Sequence, residues 1–122
     1  MNHNILVYAY IGDAIYEVYV REFLIGQKIE KVNDLQKEAI PFVSAKGQEI
    51  FLKKMMEENF LSEEEMQIVK RGRNHNGTRH PKNTDIITYK YATGLEALIG
   101  YLYLEKRKER IDTIMHFILK DK

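Results

Sequence analysis

Cysteine is absent from the 122 residues, which removes disulfides and thiolate metal sites and suits a reducing interior. Only two prolines interrupt the chain, and no repeat or low-complexity tract is visible. No apolar run reaches the roughly 20 residues that a membrane span needs, because Gly12-Asp13, Thr93-Gly94 and Glu96 break the longest ones. The N-terminus, M-N-H-N-I-L-V-Y, has no basic region leading into an apolar run with a small-residue cleavage site. A cytoplasmic protein without a membrane anchor is therefore expected. Alternating strand patterns are missing as well. Helical periodicity dominates, and with 44% hydrophobic residues the chain suits a single all-α domain of about six or seven helices spanning 1–122.

An excess of either charge is lacking as well. Nineteen basic residues against eighteen acidic ones give a formal charge of +1, which argues against a generic polyelectrolyte binder. The distribution is polarised all the same. Lys70, Arg71, Arg73, Arg79 and Lys82 stand close together with Asp85 as the one acid of that window, while Glu57 to Glu65 carries five glutamates. A near-neutral chain of this kind can present one basic face to an anionic partner.

What is abundant is the amphipathic helix. From Ile5 to Ile25 the non-apolar positions are Gly12, Asp13, Glu17, Arg21 and Glu22. Asp13, Glu17 and Arg21 recur every four residues and form one stripe on a helix expected to be buried on most faces. Glu17 is placed to pair with Arg21, leaving Asp13 without a local partner. Gly26-Gln27-Lys28 ends the segment. Asn33 is the expected N-cap of a helix from Asp34 to Ile40, which Pro41 breaks or redirects. Ser44 caps the next, with Ile50, Phe51, Leu52 and Met55 as its inward face. Ser62 and Glu65 form a capping box for a short helix carrying Met66, Ile68 and Val69 and ending near Arg71-Gly72. The stretch from Arg73 to Asn83 reads as a functional or disordered loop, longer than the usual connection of about 4 to 6 residues. Asn83 or Thr84 then caps a helix from Asp85 to about Glu105, and a last amphipathic helix is marked by Ile111, Ile114, Met115, Ile118 and Leu119.

Within the Asp85 helix, the segment Tyr91 to Leu104 has two polar residues, Thr93 and Glu96, and Gly100 follows one turn after Glu96. Thr93, Glu96 and Gly100 share a face, as do Ala9, Gly12 and Asp13 on the first helix. Small residues on both faces let the two backbones approach closely and bring Asp13 to Glu96. Two carboxylates in one crevice require a proton or a cation between them. Oxygen ligands, with no cysteine and no histidine at helical spacing from either acid, point to Mg²⁺, with Mn²⁺ as a substitute, over zinc. A lone buried acid is as often the partner of a structural lysine or arginine; two acids with small neighbours on their own faces favour a shared metal site. His75 and His80 lack further ligands at metal-binding spacing.

The motifs Y-I-G-D-A-I-Y-E and T-G-L-E-A-L-I-G-Y-L-Y-L resemble the signature helix and the second acidic helix of the ribonuclease III catalytic domain. The text between them, K-R-G-R-N, P-K-N-T-D and T-Y-K-Y-A-T-G, is similar to the mini-ribonuclease III subfamily. The resemblance covers about Leu6 to Leu104. It implies a homodimeric, all-helical, Mg²⁺-dependent endonuclease that cuts both strands of double-stranded RNA, with Asp13 and Glu96 as catalytic metal ligands. It further implies maturation of the 23S (large-subunit) rRNA precursor without a separate double-stranded-RNA-binding domain, and it leaves open stimulation by a ribosomal protein. Two positions depart from the larger family, which places acids where this chain has Ala9 and Thr93. The rival reading is an inactive RNA-binding or ribosome-assembly partner of the same fold; a helical enzyme acting on a small phosphorylated metabolite is a third.

RNA recognition falls to Lys70, Arg71, Arg73, Arg79 and Lys82, with His75 and His80 adding charge when protonated and Gly72 and Gly77 allowing close backbone approach. A-form duplex is read mainly through phosphates and 2′-hydroxyls, which suits a basic loop better than a base-reading helix. The eight tyrosines are mostly at helical spacing and suit the core or a dimer interface better than base stacking, and around the first helix Tyr8, Tyr16 and Tyr19 are expected to leave apolar surface for a second copy of the chain.

Overall fold

The computed structural model describes residues 3–75 and 85–120. Six α-helices make up the described chain: α1 (Ile5–Gly26), α2 (Val32–Val43), α3 (Ala45–Glu57), α4 (Glu63–Arg73), α5 (Ile86–Leu104) and α6 (Lys108–Leu119). None is long and apolar enough to cross a membrane. At the centre lies α5, in contact with α1, α3, α4 and α6. Its residues 92–95 and 97–102 are all buried, as expected of a helix apolar on every side. Leu52 and Met55 of α3 and Ile114 and Ile118 of α6 close around Leu95, Leu98, Ile99 and Leu102, each of these at 0% exposure.

Local chemistry explains most boundaries. Asn4 caps α1 by accepting the Leu6 N–H at 2.8 Å. Ser44 caps α3 through the Gly47 N–H at 3.0 Å, and Ser62 with Glu65 forms the full capping box of α4. The ends of α1, α3 and α5 are turned by Lys28, Asn59 and Lys106, all with positive φ. After α3 and α5 the following N–H groups return to Met55 O and Leu102 O at 2.9 Å, satisfying carbonyls that the helix end leaves open. The turn after α1 is thus made by Lys28, while Gly26 still belongs to the helix.

Several expectations are corrected. Asn33 lies inside α2, which begins after Lys31 without a side-chain cap. Pro41 does not break that helix, which runs on to Val43; a proline in the final turn forfeits little of the remaining backbone ladder. The cap of α5 is Asp85, whose carboxylate accepts the Ile87 N–H at 3.3 Å, rather than Asn83 or Thr84, which lie outside the described residues. Ile50 points to solvent, and the inward row of α3 is Gln48, Leu52 and Met55. Of core and interface, Tyr8 and Tyr16 take the core, Tyr16 donating to the Phe42 carbonyl at 2.7 Å, and the exposed large apolar side chains of α1 are Val7, Tyr10, Val18 and Ile25. Asp13 is exposed: α1 keeps an outward stripe that its apolar composition conceals.

A polar cluster ties α6 to the rest. Arg110 grips the buried Glu65 with Nε and a terminal nitrogen at 2.7 and 2.8 Å and also donates to the Phe60 carbonyl. The guanidinium holds the Glu65 carboxyl below the usual range against the opposing effect of burial.

Candidate active site

Gly12 and Gly100 set the site. A Cβ on Gly12 would stand 1.8 Å from the Glu96 carbonyl oxygen, and a Cβ on Gly100 would stand 1.8 Å from the Tyr8 carbonyl oxygen. The two helices therefore touch backbone to backbone, a separation open only to glycine. Asp13 follows Gly12 and Glu96 lies one turn before Gly100, so the seam brings the two carboxyls within hydrogen-bonding reach of each other. Burial, the Asp13 charge and that hydrogen bond push the Glu96 carboxyl up to about 8, with Glu17 adding to the effect. The Gln48 carboxamide, donating to Glu96 from α3, acts in the opposite direction.

The neighbourhood is polar only where it must be. Tyr16, fully buried beneath the pair, has its hydroxyl held neutral by burial and by Glu96 and Glu17. Glu17 pairs with Arg21 at 3.0 Å, as their spacing predicts. At the positions where the larger family has acids, Ala9 is buried and the Thr93 hydroxyl donates to the Tyr89 carbonyl at 3.0 Å. Among the described residues no group of three or more histidine or acidic side chains is gathered for a metal ion. The donor chemistry of the pair nevertheless fits a hard divalent cation: the two carboxyls lie within hydrogen-bonding reach, and burial together with the Asp13 charge keeps Glu96 protonated at neutral pH. Asp13 and Glu96 are the residues that would hold it, with solvent and substrate oxygens completing its shell.

Of the predicted RNA-contacting residues, Lys70 and Arg71 are exposed and Arg73 is half-buried on the last turn of α4. Arg79 and Lys82, with His80 and Gly77, lie outside the described residues. Gly72 seats this turn on α5, where an added Cβ would lie 3.0 Å from Gly94 Cα. Two features went unforeseen. Lys53 of α3 and Arg73 of α4 flank the Tyr91 ring at 4.8 and 5.3 Å from its centroid, adding a cation from α3 to the basic group. Gln48 was equally unforeseen, although an amide in register with Leu52 and Met55 is a polar residue on a core row and could have been singled out.

Comparison with known proteins agrees with this geometry. The ribonuclease III domain model matches residues 6–107. The chain is 43% identical over 117 residues to mini-ribonuclease 3 of Enterococcus faecalis, covering 96% of this chain and 89% of that one. It is 49% identical over 112 residues to mini-ribonuclease 3 of Brevibacillus brevis, covering 92% and 82%. A crystal structure of a Fusobacterium nucleatum protein superposes with a TM-score of 0.86 at 37% identity, covering 98% of this chain and 95% of that one. The chain belongs to the ribonuclease III family, on its mini-ribonuclease 3 branch, and is an endoribonuclease.

Proposed function

We propose that this endoribonuclease hydrolyses both strands of double-stranded RNA with Mg²⁺ held by Asp13 and Glu96, acting as a homodimer on the large-subunit rRNA precursor in the cytoplasm. The observation that carries the proposal is the pair itself: two carboxyls from distant parts of the chain meet across a glycine seam, where burial and the Asp13 charge push the Glu96 carboxyl up to about 8. A bound divalent ion supplies acidified water and Lewis-acid stabilisation of phosphoryl oxygens. The chain supplies position. Asp13 approaches from the solvent side of α1, where a duplex can reach it, and Glu96 from the buried α5. Tyr16 and the surrounding core keep water from the inner side of the Glu96 carboxyl. Lys70, Arg71 and Arg73, joined by Lys53, offer charge to the phosphate backbone that two acids alone would repel.

Mn²⁺ suits the same oxygens and is expected to substitute. Cleavage of a long RNA duplex by the purified chain in Mg²⁺ tests the proposal. Asp13→Asn should fold normally and cut more than about a hundredfold more slowly, since changes merely adjoining a metal ligand already cost 10- to 100-fold. Robust cutting by Asp13→Asn would remove Asp13 from the catalytic pair. A chain that binds duplex but never cuts it would favour the inactive assembly partner.

A further inference from the structure

Gln48 is 2% exposed, and its row on α3, with Leu52 and Met55, otherwise faces the core. A buried amide in such a row needs partners, and the partner it finds is the Glu96 carboxylate. Its backbone has little freedom. Glu49, the next residue, accepts the Thr88 hydroxyl of α5 at 3.0 Å and pairs with Lys53 at 2.9 Å and Lys46 at 3.3 Å. Gly47, the residue before, lies so close to α2 that a Cβ would stand 2.0 Å from the Pro41 carbonyl oxygen. Three successive residues thus fasten the start of α3 to α2, to the acid pair and to α5.

We infer that Gln48 is the positioning residue of the acid pair, its amide N–H fixing the Glu96 carboxylate in the orientation that faces Asp13. The inference rests on Asp13 and Glu96 being the cation-holding pair. An amide suits the task because it donates to the carboxylate without bringing a charge: a lysine or arginine there would neutralise the pair and compete with the cation. With no acid at Ala9 or Thr93, the chain orients its few ligands by hydrogen bonding, as partners behind metal-binding side chains commonly do.

The test is Mn²⁺ titration of the metal-free full-length chain by calorimetry, alongside kcat and KM on duplex RNA. The chains compared are the unsubstituted one, Gln48→Met, Gln48→Glu and Asp13→Asn, each checked for native circular dichroism. Gln48→Met keeps length and lacks the donor; Gln48→Glu keeps shape and serves if the methionine variant does not fold. Both should bind Mn²⁺ about 10- to 100-fold more weakly, with kcat reduced and KM for RNA unchanged. Mn²⁺ binding and kcat unaltered in a folded Gln48 variant, while Asp13→Asn loses both, would overturn the inference and leave the acid pair standing. Tighter Mn²⁺ binding by Gln48→Glu would make position 48 a ligand and likewise overturn it. Absence of Mn²⁺ binding at the pair in the unsubstituted chain would remove both readings.

Discussion

Glu96 ties stability to pH in an unusual direction. Its carboxyl ionises at 4.5 in an ordinary setting and is pushed up to about 8 in the fold. Between those values the unfolded chain has released a proton that the folded one keeps, so this group's contribution is complete below pH 4.5 and is lost as pH rises through 8. The metal-free protein should therefore melt at lower temperature as pH climbs through this window, relative to Glu96→Gln, which carries no such proton. Adding Mg²⁺ should abolish the difference, because a cation replaces the proton. Matching melting profiles for the two proteins from pH 5 to about 8.5 would contradict the paired-carboxyl geometry. Glu65 and Glu49 work in the opposite sense: Arg110 and Lys53 hold them low, so their stabilisation is present above the ordinary carboxylate range and fails in acid.

Among the elements, the α1–α5 seam carries the consequence for substitution. The three nearest neighbours of a Cβ at position 12 are main-chain atoms, the Glu96 carbonyl oxygen at 1.8 Å, the Gly100 nitrogen at 2.7 Å and the Glu96 carbonyl carbon at 2.8 Å, and none can swing aside. Gly12→Ala should destabilise the fold by about 3 kcal/mol, at the upper end of overpacking effects, and slow cleavage by parting the acids. Denaturant titration measures the first and duplex cleavage the second; a variant of unchanged stability would show that the helices slide freely. Much at this scale was legible beforehand. The glycines and acids of α1 and α5 announce their meeting through spacing alone, and the Ser62–Glu65 box and the Ser44 cap declare themselves by residue type. What escaped was decided by neighbours. Pro41 reads as a breaker until the helix is seen to end two residues later, and Tyr8 and Tyr16 stay undecided between core and dimer surface because one helix cannot show which of its apolar sides the others cover. Gln48 was hidden because its partner lies far along the chain.

At the scale of the whole molecule, two surfaces bear on partners. Lys70, Arg71 and Arg73 gather at the end of α4. Replacing all three with glutamine should weaken duplex binding and reduce the slope of log affinity against log salt by about 2 to 3, since each lost phosphate contact removes 0.7 to 0.9; an unchanged slope would place the RNA elsewhere. Apolar surface is exposed on α1. Tyr10, at 83% exposed, accompanies Val7 and Val18 on α1, and a groove lined by Val18, Tyr19, Tyr103 and Leu104 lies near them. A second copy of the chain covering this surface would hide side chains that a monomer leaves wet. Tyr10→Lys with Val18→Lys should shift sedimentation from dimer to monomer, and an unaltered sedimentation coefficient would point to a different interface.

The nesting of Gly12 and Gly100 acts as a built-in ruler. The approach of the two helices that carry Asp13 and Glu96 is set by the thickness of two polypeptide backbones, because neither Gly12 nor Gly100 leaves room for a side chain. A change on the outer faces of α1 or α5 leaves that approach alone, whereas any side chain added at position 12 or 100 must displace a main-chain atom.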